Sequence, residues 1–446
     1  MNHHEPTKPH GSVQKNRGLI LKVLQYLACL LPSIGCLVLW IGCREQPSSE
    51  APLKHEVYLW QRLWDASVNQ ALKSHGASFE RILFLAAEID WRLKTDSVTL
   101  IQPDDQALRS SETPVGLVIR VQHFPQPEIG QALHKEQLIS LASTLMRRFS
   151  EQGLEISECQ LDLDCPDARL EEYIDWLKDL REAIKPMPLS ITALPSWLNE
   201  PSFSDLIACV DHYVLQVHSI KPPTHREEAL VLCDPHQARL AVERAGRWQT
   251  PFRVALPTYG YWMQFDADGG YRRLSGETTP SLLHPEGSME PLMADPHAMA
   301  DLVHHWQQSH PRSMTGLIWF RMPVSSDRMN WRWETLASVM QGRPPKRELT
   351  YTLKSPEPGY WEIWARNTGE IASLPRDRIA LHWTEGVFLA ADGLLGYQWQ
   401  KEAFQNGSLH PPAHERIYPV DPGKNHLIGW IRFLGTNRLV LESPSP

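Results

Sequence analysis

The sequence predicts an α/β protein: a (β/α)8 TIM barrel followed by a small C-terminal all-β domain of sandwich-like form. Strand-like and helix-like segments alternate from residue 53 to residue 345, the pattern of a parallel α/β fold. One strand carries carboxylates on one face and hydrophobic residues on the other, as a strand that borders a barrel lumen does. Beyond residue 345 the chain shows short alternating strands and almost no helix.

The strand with two distinct faces covers residues 159–166. Residues two apart on a strand share a face, so Gln160, Asp162 and Asp164 point one way and the hydrophobic residues between them point the other. Both faces of a doubly wound sheet are dry, so this pattern favours a barrel, whose strand ends open into a site. The strand ends at Pro166, which cannot donate to a ladder. The alternative is that the aspartates lie in a loop and cap the next helix.

The other elements are predicted from turn and capping signals between hydrophobic runs. Gly153 is the expected C-cap of the helix after the third strand, and a Gly- and Pro-rich insertion at 266–295 follows the seventh strand. The eight barrel strands are predicted at 57–62, 81–91, 115–122, 159–166, 189–194, 212–218, 251–259 and 316–321. Helices are predicted at 66–73, 135–152, 168–184, 201–209, 235–245, 296–308 and 331–340. In the C-terminal domain, 346–446, strands are predicted at 349–353, 360–367, 379–383, 388–390, 427–433 and 438–441.

The first 50 residues predict an export signal or membrane anchor and a polar linker. Three basic residues precede an apolar run at 23–43, which is the order of an export signal. Residues 39–43 are similar to a bacterial lipoprotein cleavage box with Cys43 as the lipidated residue, although Trp40 stands where an aliphatic residue is usual. The run is also just long enough to span a bilayer uncleaved. Either form predicts an exported protein that is anchored to a membrane on the periplasmic side.

Composition and charge exclude several classes of function. The net charge is -8 and the basic residues are not clustered, so no nucleic-acid partner is predicted. The 7 cysteines show no CxxC and no Cys/His metal spacing, so we predict no metal and no cofactor, and buried free thiols outside the N-terminal segment. The 17 tryptophans fit a large aromatic core. They are also typical of carbohydrate-handling proteins, because the flat apolar face of a sugar ring stacks on an indole.

Polar side chains at the ends of several predicted strands form a candidate site, since a barrel takes its catalytic groups from those ends. The second strand supplies Glu88 and Asp90, and the fourth supplies Asp162 and Asp164; these four are the predicted catalytic residues. Crowded carboxylates raise at least one pKa, and a raised acid beside an ionised partner is what glycosidic bond cleavage needs. The predicted sugar-binding residues are Gln160, Gln216, His218, Tyr259, Tyr261, Trp319 and Arg321.

Structural alternatives exist for these residues. Glu88 or Asp90 could pair with Arg120 or Arg321 inside the barrel. The histidine could be a structural hydrogen bonder and the tyrosines ordinary rim aromatics. Glu158 lies deeper on the fourth strand and is interpreted as structural.

Five segments resemble the bacterial family catalogued as domain of unknown function 3142. They cover most of the barrel, and that family carries no established activity. The resemblance implies a barrel of the glycoside-hydrolase type that acts on a carbohydrate. The segments are 86–91 (AAEIDW), 160–166 (QLDLDCP), 194–198 (LPSWL), 213–219 (YVLQVHS) and 252–261 (FRVALPTYGY).

The fourth strand is also similar to the Asp-x-Asp-x-Glu signature of the chitinase-like glycoside hydrolase family 18. Asp162 and Asp164 match its two aspartates, but Pro166 stands in the place of its catalytic glutamate. The likeness implies that Trp319 is a barrel-floor tryptophan. It also implies that another acid, Glu88 or Asp164 itself, protonates the leaving oxygen, or that the barrel binds sugar without hydrolysis.

Two functions are therefore predicted from the sequence. The first is an exported, membrane-tethered, glycoside-hydrolase-like barrel that acts on an oligo- or polysaccharide, with Asp164 or Glu88 as the acid and Asp162 or Asp90 as the ionised partner. The alternative is a non-catalytic polysaccharide-binding or cell-envelope assembly protein on the same barrel. A deacetylase or esterase lacks support, because the sequence has no GxSxG elbow and no metal-ligand cluster. The C-terminal domain carries no site signature.

Overall fold

The computed structural model describes residues 48–49, 52–91, 97–125, 131–219, 222–228, 230–276, 287–375, 377–411, 419–435 and 437–441. The predicted signal or anchor at 23–43, with Cys43, lies outside these residues, so lipidation and anchoring stay predictions. Within the described ranges, no helix combines the length and the apolar character needed to cross a bilayer.

Eight parallel strands close into a barrel, which confirms the predicted fold class. Each strand pairs with the next along the chain and the last pairs with the first, so the sheet has no free edge between them. A short strand, Ser97–Leu100, pairs antiparallel with the end of the second strand. The barrel strands are β1 (Lys54–Leu59), β2 (Arg81–Asp90), β3 (Val115–Val121), β4 (Ile156–Leu163), β5 (Leu189–Ala193), β6 (His212–Gln216), β7 (Phe252–Pro257) and β8 (Met314–Phe320).

A helix follows every barrel strand. Two of them, α6 and α7, match their predicted bounds because each has an aspartate N-cap followed by proline in the first turn. The six-residue α2 was not predicted, since it is too short to show a helical period. The helices are α1 (Ala66–His75), α2 (Asp105–Ser110), α3 (Gln131–Glu151), α4 (Leu170–Ile184), α5 (Phe203–Ala208), α6 (Pro235–Ala245), α7 (Pro296–Gln308) and α8 (Trp333–Met340).

The barrel strands bury two different faces. The outward faces form the main hydrophobic core with the helices, and the inward faces form a smaller lumen cluster that includes Tyr58, Trp60 and Val118. On β4, Leu161 and Leu163 belong to the outer core, as the alternation in the sequence predicts. The four cysteines outside the N-terminal segment are buried free thiols (Cys159, Cys165, Cys209 and Cys233).

The C-terminal region is a sandwich of two four-stranded antiparallel sheets that share one hydrophobic core. One sheet has the order β9-β10-β15-β12 and the other has the order β13-β14-β11-β16. The strands β13 and β14 were not predicted. The strands are β9 (Leu349–Glu357), β10 (Tyr360–Asn367), β11 (Ile379–Thr384), β12 (Val387–Gly393), β13 (Gln398–Ala403), β14 (Asn406–His410), β15 (Asn425–Leu434) and β16 (Arg438–Leu441).

Polar contacts join the sandwich to the end of the barrel. Both oxygens of Glu370 accept hydrogen bonds from Arg343, at 2.7 and 2.8 Å. The hydroxyl of Thr335 on α8 donates to the backbone carbonyl of Glu370 at 2.6 Å. Arg332 forms an ion pair with Asp421 at 2.9 Å.

Candidate functional site

A β-bulge in β2 directs Glu88 and Asp90 toward the barrel lumen. Below the bulge, Leu83 and Leu85 belong to the lumen cluster. The register with β3 then shifts between Leu85 and Ala87, which inserts one extra residue. Because side chains alternate along a strand, this insertion moves the lumen face from odd-numbered to even-numbered positions.

Glu88, Arg120 and Asp162 occupy the same level on three neighbouring strands. Glu88 is the register partner of Arg120, and Arg120 is the register partner of Asp162. Parallel strands are about 4.8 Å apart, so the Cα atoms of the two acids are about 10 Å apart, with a cation between them. The guanidinium carbon of Arg120 lies 5.6 Å from the centre of the Trp60 ring. The mouth of the barrel therefore combines acids, a cation and an aromatic wall.

Asp164 lies at the mouth, one residue beyond the end of β4. The residue is exposed, but neighbouring protein groups partly desolvate its carboxyl group. This desolvation raises the pKa of Asp164, the charge of Asp162 raises it further, and Arg120 opposes the rise. Asp164 therefore keeps its proton to a higher pH than an ordinary aspartate does.

Glu88 and Asp90 have cationic or imidazole neighbours at the same end of the barrel. Arg62 donates to both oxygens of Glu88, with Nη2 at 3.0 Å from Oε1. Asp90 Oδ1 lies 4.0 Å from His123 Nδ1. Glu88 is buried and fully engaged by a guanidinium, so it is poorly placed to release a proton to a ligand.

An aromatic cluster at the mouth is continuous with Trp60, whose ring centre lies 4.9 Å from that of Phe320. The Tyr259 ring contacts Tyr261 and Phe320, with ring centres 5.2 and 5.3 Å apart. The Tyr259 hydroxyl lies 3.4 Å from His218 Nδ1. Burial lowers the pKa of His218 to about 3, so its imidazole is neutral near pH 7. Gln216 donates to the His218 carbonyl at 3.2 Å. These predicted sugar-binding residues lie together.

Gln160 lies one layer below Asp162 and is fully buried. Its Oε1 atom accepts a hydrogen bond from the Tyr58 hydroxyl at 2.8 Å. Its Nε2 atom finds no acceptor within the described part of the chain. A buried amide with an unused donor is suited to a ligand or a water molecule that enters the lumen.

Trp319 and Arg321 differ in placement from the other predicted sugar-binding residues. Trp319 is fully buried in the outer core, and its Nε1 donates to His55 Nδ1 at 3.1 Å. It therefore faces the helices, and its neighbour Phe320 packs against the lumen cluster instead. Arg321 is buried and donates from Nε to Asp327 Oδ2 at 2.7 Å.

Four residues of the mouth were missed by the sequence interpretation: Trp60, Arg62, Arg120 and Phe320. Trp60 lies two residues after Tyr58, so strand alternation could have indicated its inward face. Arg120 lies near the end of the predicted third strand, 115–122, but it was considered only as an ion-pair partner. Arg62 lies beyond the end of β1, and no sequence pattern connects it to Glu88.

Glu158 organises a buried charge cluster at the other end of the barrel. Its oxygens accept from Arg253 Nη2 at 2.8 Å and from Ser190 at 2.9 Å, and one lies 3.0 Å from His212 Nε2. Arg253 also binds Glu56. Burial alone would raise the pKa of Glu158, but Arg253 and His212 outweigh it and hold that pKa well below its usual range. The interpretation of Glu158 as structural agrees with this network.

Several solved structures are similar to this chain at low sequence identity. A chitinase from Chromobacterium violaceum is 14% identical, with 65% of this chain and 98% of that chain covered and a TM-score of 0.43. The spore cortex-lytic enzyme SleL from Bacillus cereus is 12% identical, with 64% and 74% covered and a TM-score of 0.44. A chitinase from Bacillus thuringiensis is 10% identical, with 88% and 100% covered and a TM-score of 0.44. At these values the likeness assigns no activity and no residue role to this chain.

Sequence comparison finds a matching family but no matching curated protein. Residues 113–325, which include β3 to β8, match the family described as Domain of unknown function (DUF3142). This match confirms the resemblance seen in the strand-end motifs.

Proposed function

We propose that the barrel cleaves a glycosidic bond in an oligo- or polysaccharide, with Asp164 as the general acid. A general acid must carry its proton near the working pH. The observation that carries the proposal is the raised pKa of Asp164 at an accessible strand end, next to the negative charge of Asp162. A carboxyl group that holds its proton to a higher pH beside a second carboxyl group is the pattern of an acid and its partner.

In this mechanism Asp164 donates its proton to the glycosidic oxygen as the bond to that oxygen breaks. Positive charge then develops on the sugar ring, and the carboxylate of Asp162 stabilises it. A water molecule attacks the anomeric carbon and gives a proton back to Asp164, which completes the hydrolysis. Trp60, Phe320 and Tyr259 form one contiguous aromatic surface that can face the sugar, with the Trp60 and Phe320 ring centres 4.9 Å apart. Arg120 lies beside both the acids and the Trp60 ring, where it can bind a sugar hydroxyl group.

The test is a hydrolysis screen of the purified chain across pH. Soluble β-1,4-linked N-acetylglucosamine oligomers, cello-oligosaccharides and malto-oligosaccharides are incubated with the protein, and new reducing ends are measured. We expect cleavage of at least one series, with a rate that falls as the pH rises through the raised pKa of Asp164, because the acid then loses its proton. Saccharide binding without any cleavage would contradict the enzyme and support the non-catalytic alternative.

We also propose that the chain is exported and held at a membrane on the periplasmic side. The support is the basic start, the apolar run at 23–43 and the cleavage-box-like segment that ends in Cys43. Cells that express the full chain are grown with labelled palmitate and then fractionated. We expect label in the membrane-bound protein and none in a Cys43→Ala variant. Membrane-bound protein without label would indicate an uncleaved helix, and protein in the cytoplasmic fraction would contradict export.

A further inference from the structure

The C-terminal sandwich carries a row of aromatic side chains on the outer face of one sheet. Ile363 and Ala365 of β10 are fully buried in the sandwich core. Because side chains alternate along a strand, Tyr360 and Trp364 of β10 lie on the opposite, outer face. Trp430 of β15 lies on this face as well, since its neighbour Ile431 is in the core. We call Tyr360, Trp430 and Trp364 the aromatic row.

The strand register places the three rings in the order Tyr360, Trp430, Trp364 along the strand direction, with Trp430 on the neighbouring strand. Tyr360 pairs with Arg432, and Trp364 pairs with Leu427. Trp430 pairs with the residue midway between Tyr360 and Trp364, so it lies between them along the strand direction. The ring centres of Tyr360 and Trp430 are 6.1 Å apart, with a tilt of 34°. Four residues of strand separate the two ends of the row, so it spans about 13 Å.

Charged groups lie inside the aromatic row and along both of its sides. Glu362 lies between the rings on β10 and accepts a hydrogen bond from Trp364 Nε1 at 2.9 Å. The ammonium of Lys354 on β9 is 4.7 Å from the centre of the Trp364 ring. On the other side, Asp392 of β12 is the register partner of Trp430 and is exposed. Two carboxylates, which accept hydrogen bonds, and one ammonium, which donates them, therefore lie around the rings.

This combination distinguishes the aromatic row from two ordinary kinds of surface. Aromatic pairs across strands stabilise a sheet, but that role needs no charged residue between them. The centre of a protein–protein interface is depleted in charged residues, whereas Glu362 lies in the middle of the row. A sugar chain has apolar ring faces and a rim of hydroxyl groups. Such a ligand needs stacking surface and charged hydrogen-bonding partners side by side.

We propose that the aromatic row binds an extended β-1,4-linked polysaccharide chain. Rings that follow one another along the strand direction on one sheet face suit an extended, ribbon-like polymer better than a helical one, because successive sugar rings of a ribbon present their faces along one direction. The inference depends only on the side chains of the sandwich, and it does not require that the barrel cleaves anything. The aromatic row would hold the protein on the polysaccharide, while the barrel mouth binds a different part of the same polysaccharide.

The test is retention of the full chain on insoluble polysaccharides. Purified protein is mixed with chitin particles, cellulose particles or starch granules, and the bound fraction is measured over a range of particle concentrations. We expect retention on chitin or cellulose and none on starch, whose chains are helical. Trp430→Ala is expected to weaken retention about tenfold, since it removes the central stacking ring. Phe404→Ala is the matched control, because this aromatic residue of the same domain is 88% exposed and lies outside the row.

Further variants separate binding from folding and from catalysis. Trp430→Thr introduces a β-branched residue, which favours the strand, so an unchanged melting temperature with weakened retention would assign the loss to the missing ring. Asp164→Asn is expected to be retained like the wild type. The proposal is overturned if the wild type is retained on neither chitin nor cellulose, if both Trp430 variants bind like the wild type, or if Phe404→Ala loses binding equally.

Discussion

Asp164→Asn is expected to lower the rate of saccharide cleavage by about 10² to 10⁴ while saccharide affinity changes little. Asparagine has nearly the same shape as aspartate but has no proton to give to the leaving oxygen. The rate is measured by the release of reducing ends, and affinity is measured by calorimetry with the same oligosaccharide. The expected signature is a loss in kcat with KM nearly unchanged, which marks an interaction made only in the transition state.

The matched control for this variant is Asp175→Asn. Asp175 is an exposed aspartate of α4 whose carboxylate is 3.7 Å from Lys178, far from any strand end. We expect wild-type rates for this control. Cleavage by Asp164→Asn at the wild-type rate would remove Asp164 from the mechanism.

Arg253→Met is expected to destabilise the fold by about 3 to 5 kcal/mol near pH 7. The substitution leaves Glu158 and Glu56 buried without their shared cation, and removal of one partner from a buried ion pair costs about that much. Stability is measured by denaturant unfolding. The control is Lys54→Ala, which breaks an exposed ion pair with Glu80 and should cost less than about 1 kcal/mol.

The pH dependence of this effect has a definite sign. In the wild type the pKa of Glu158 is depressed, so its contribution to stability is present above the usual carboxyl pKa and is lost as the pH falls through the depressed value. In Arg253→Met, burial acts with less opposition and Glu158 takes up a proton at a higher pH. The difference in unfolding free energy between wild type and variant should therefore shrink as the pH falls. A variant as stable as the wild type at pH 7 would contradict the role of the cluster.

The barrel could be predicted from the sequence because the signals for its strands and helices are local. Alternating strands and helices, aspartate–proline helix starts and the two-faced β4 all depend on neighbouring residues. The two faces of β8 could not be assigned in this way. Its residues from Leu317 to Phe320 are all hydrophobic, and both faces of a barrel strand are buried, so no alternation shows that Trp319 faces the helices.

Contacts in the site between residues that are far apart in the chain could not be predicted from the sequence either. The ion pair between Arg62 and Glu88 joins residues from different strand ends, and charge alone did not select Arg62 over Arg120 or Arg321. In the sandwich, β13 was missed because most of its residues are exposed and polar, so the strand has no hydrophobic face to detect.

The bulge in β2 determines which face of the strand end carries Glu88 and Asp90. The extra residue at the register shift, Ala86, separates a lower segment that fills the lumen from an upper segment that carries two acids. Without the bulge, a regular strand that kept this alanine would turn Glu88 and Asp90 toward the helices and send Ala87 into the lumen. Loss of the alanine together with the bulge would leave both acids facing the lumen. Within related sequences, a one-residue gap at this position therefore preserves the acids at the mouth, whereas an ungapped strand preserves them only if it keeps the bulge.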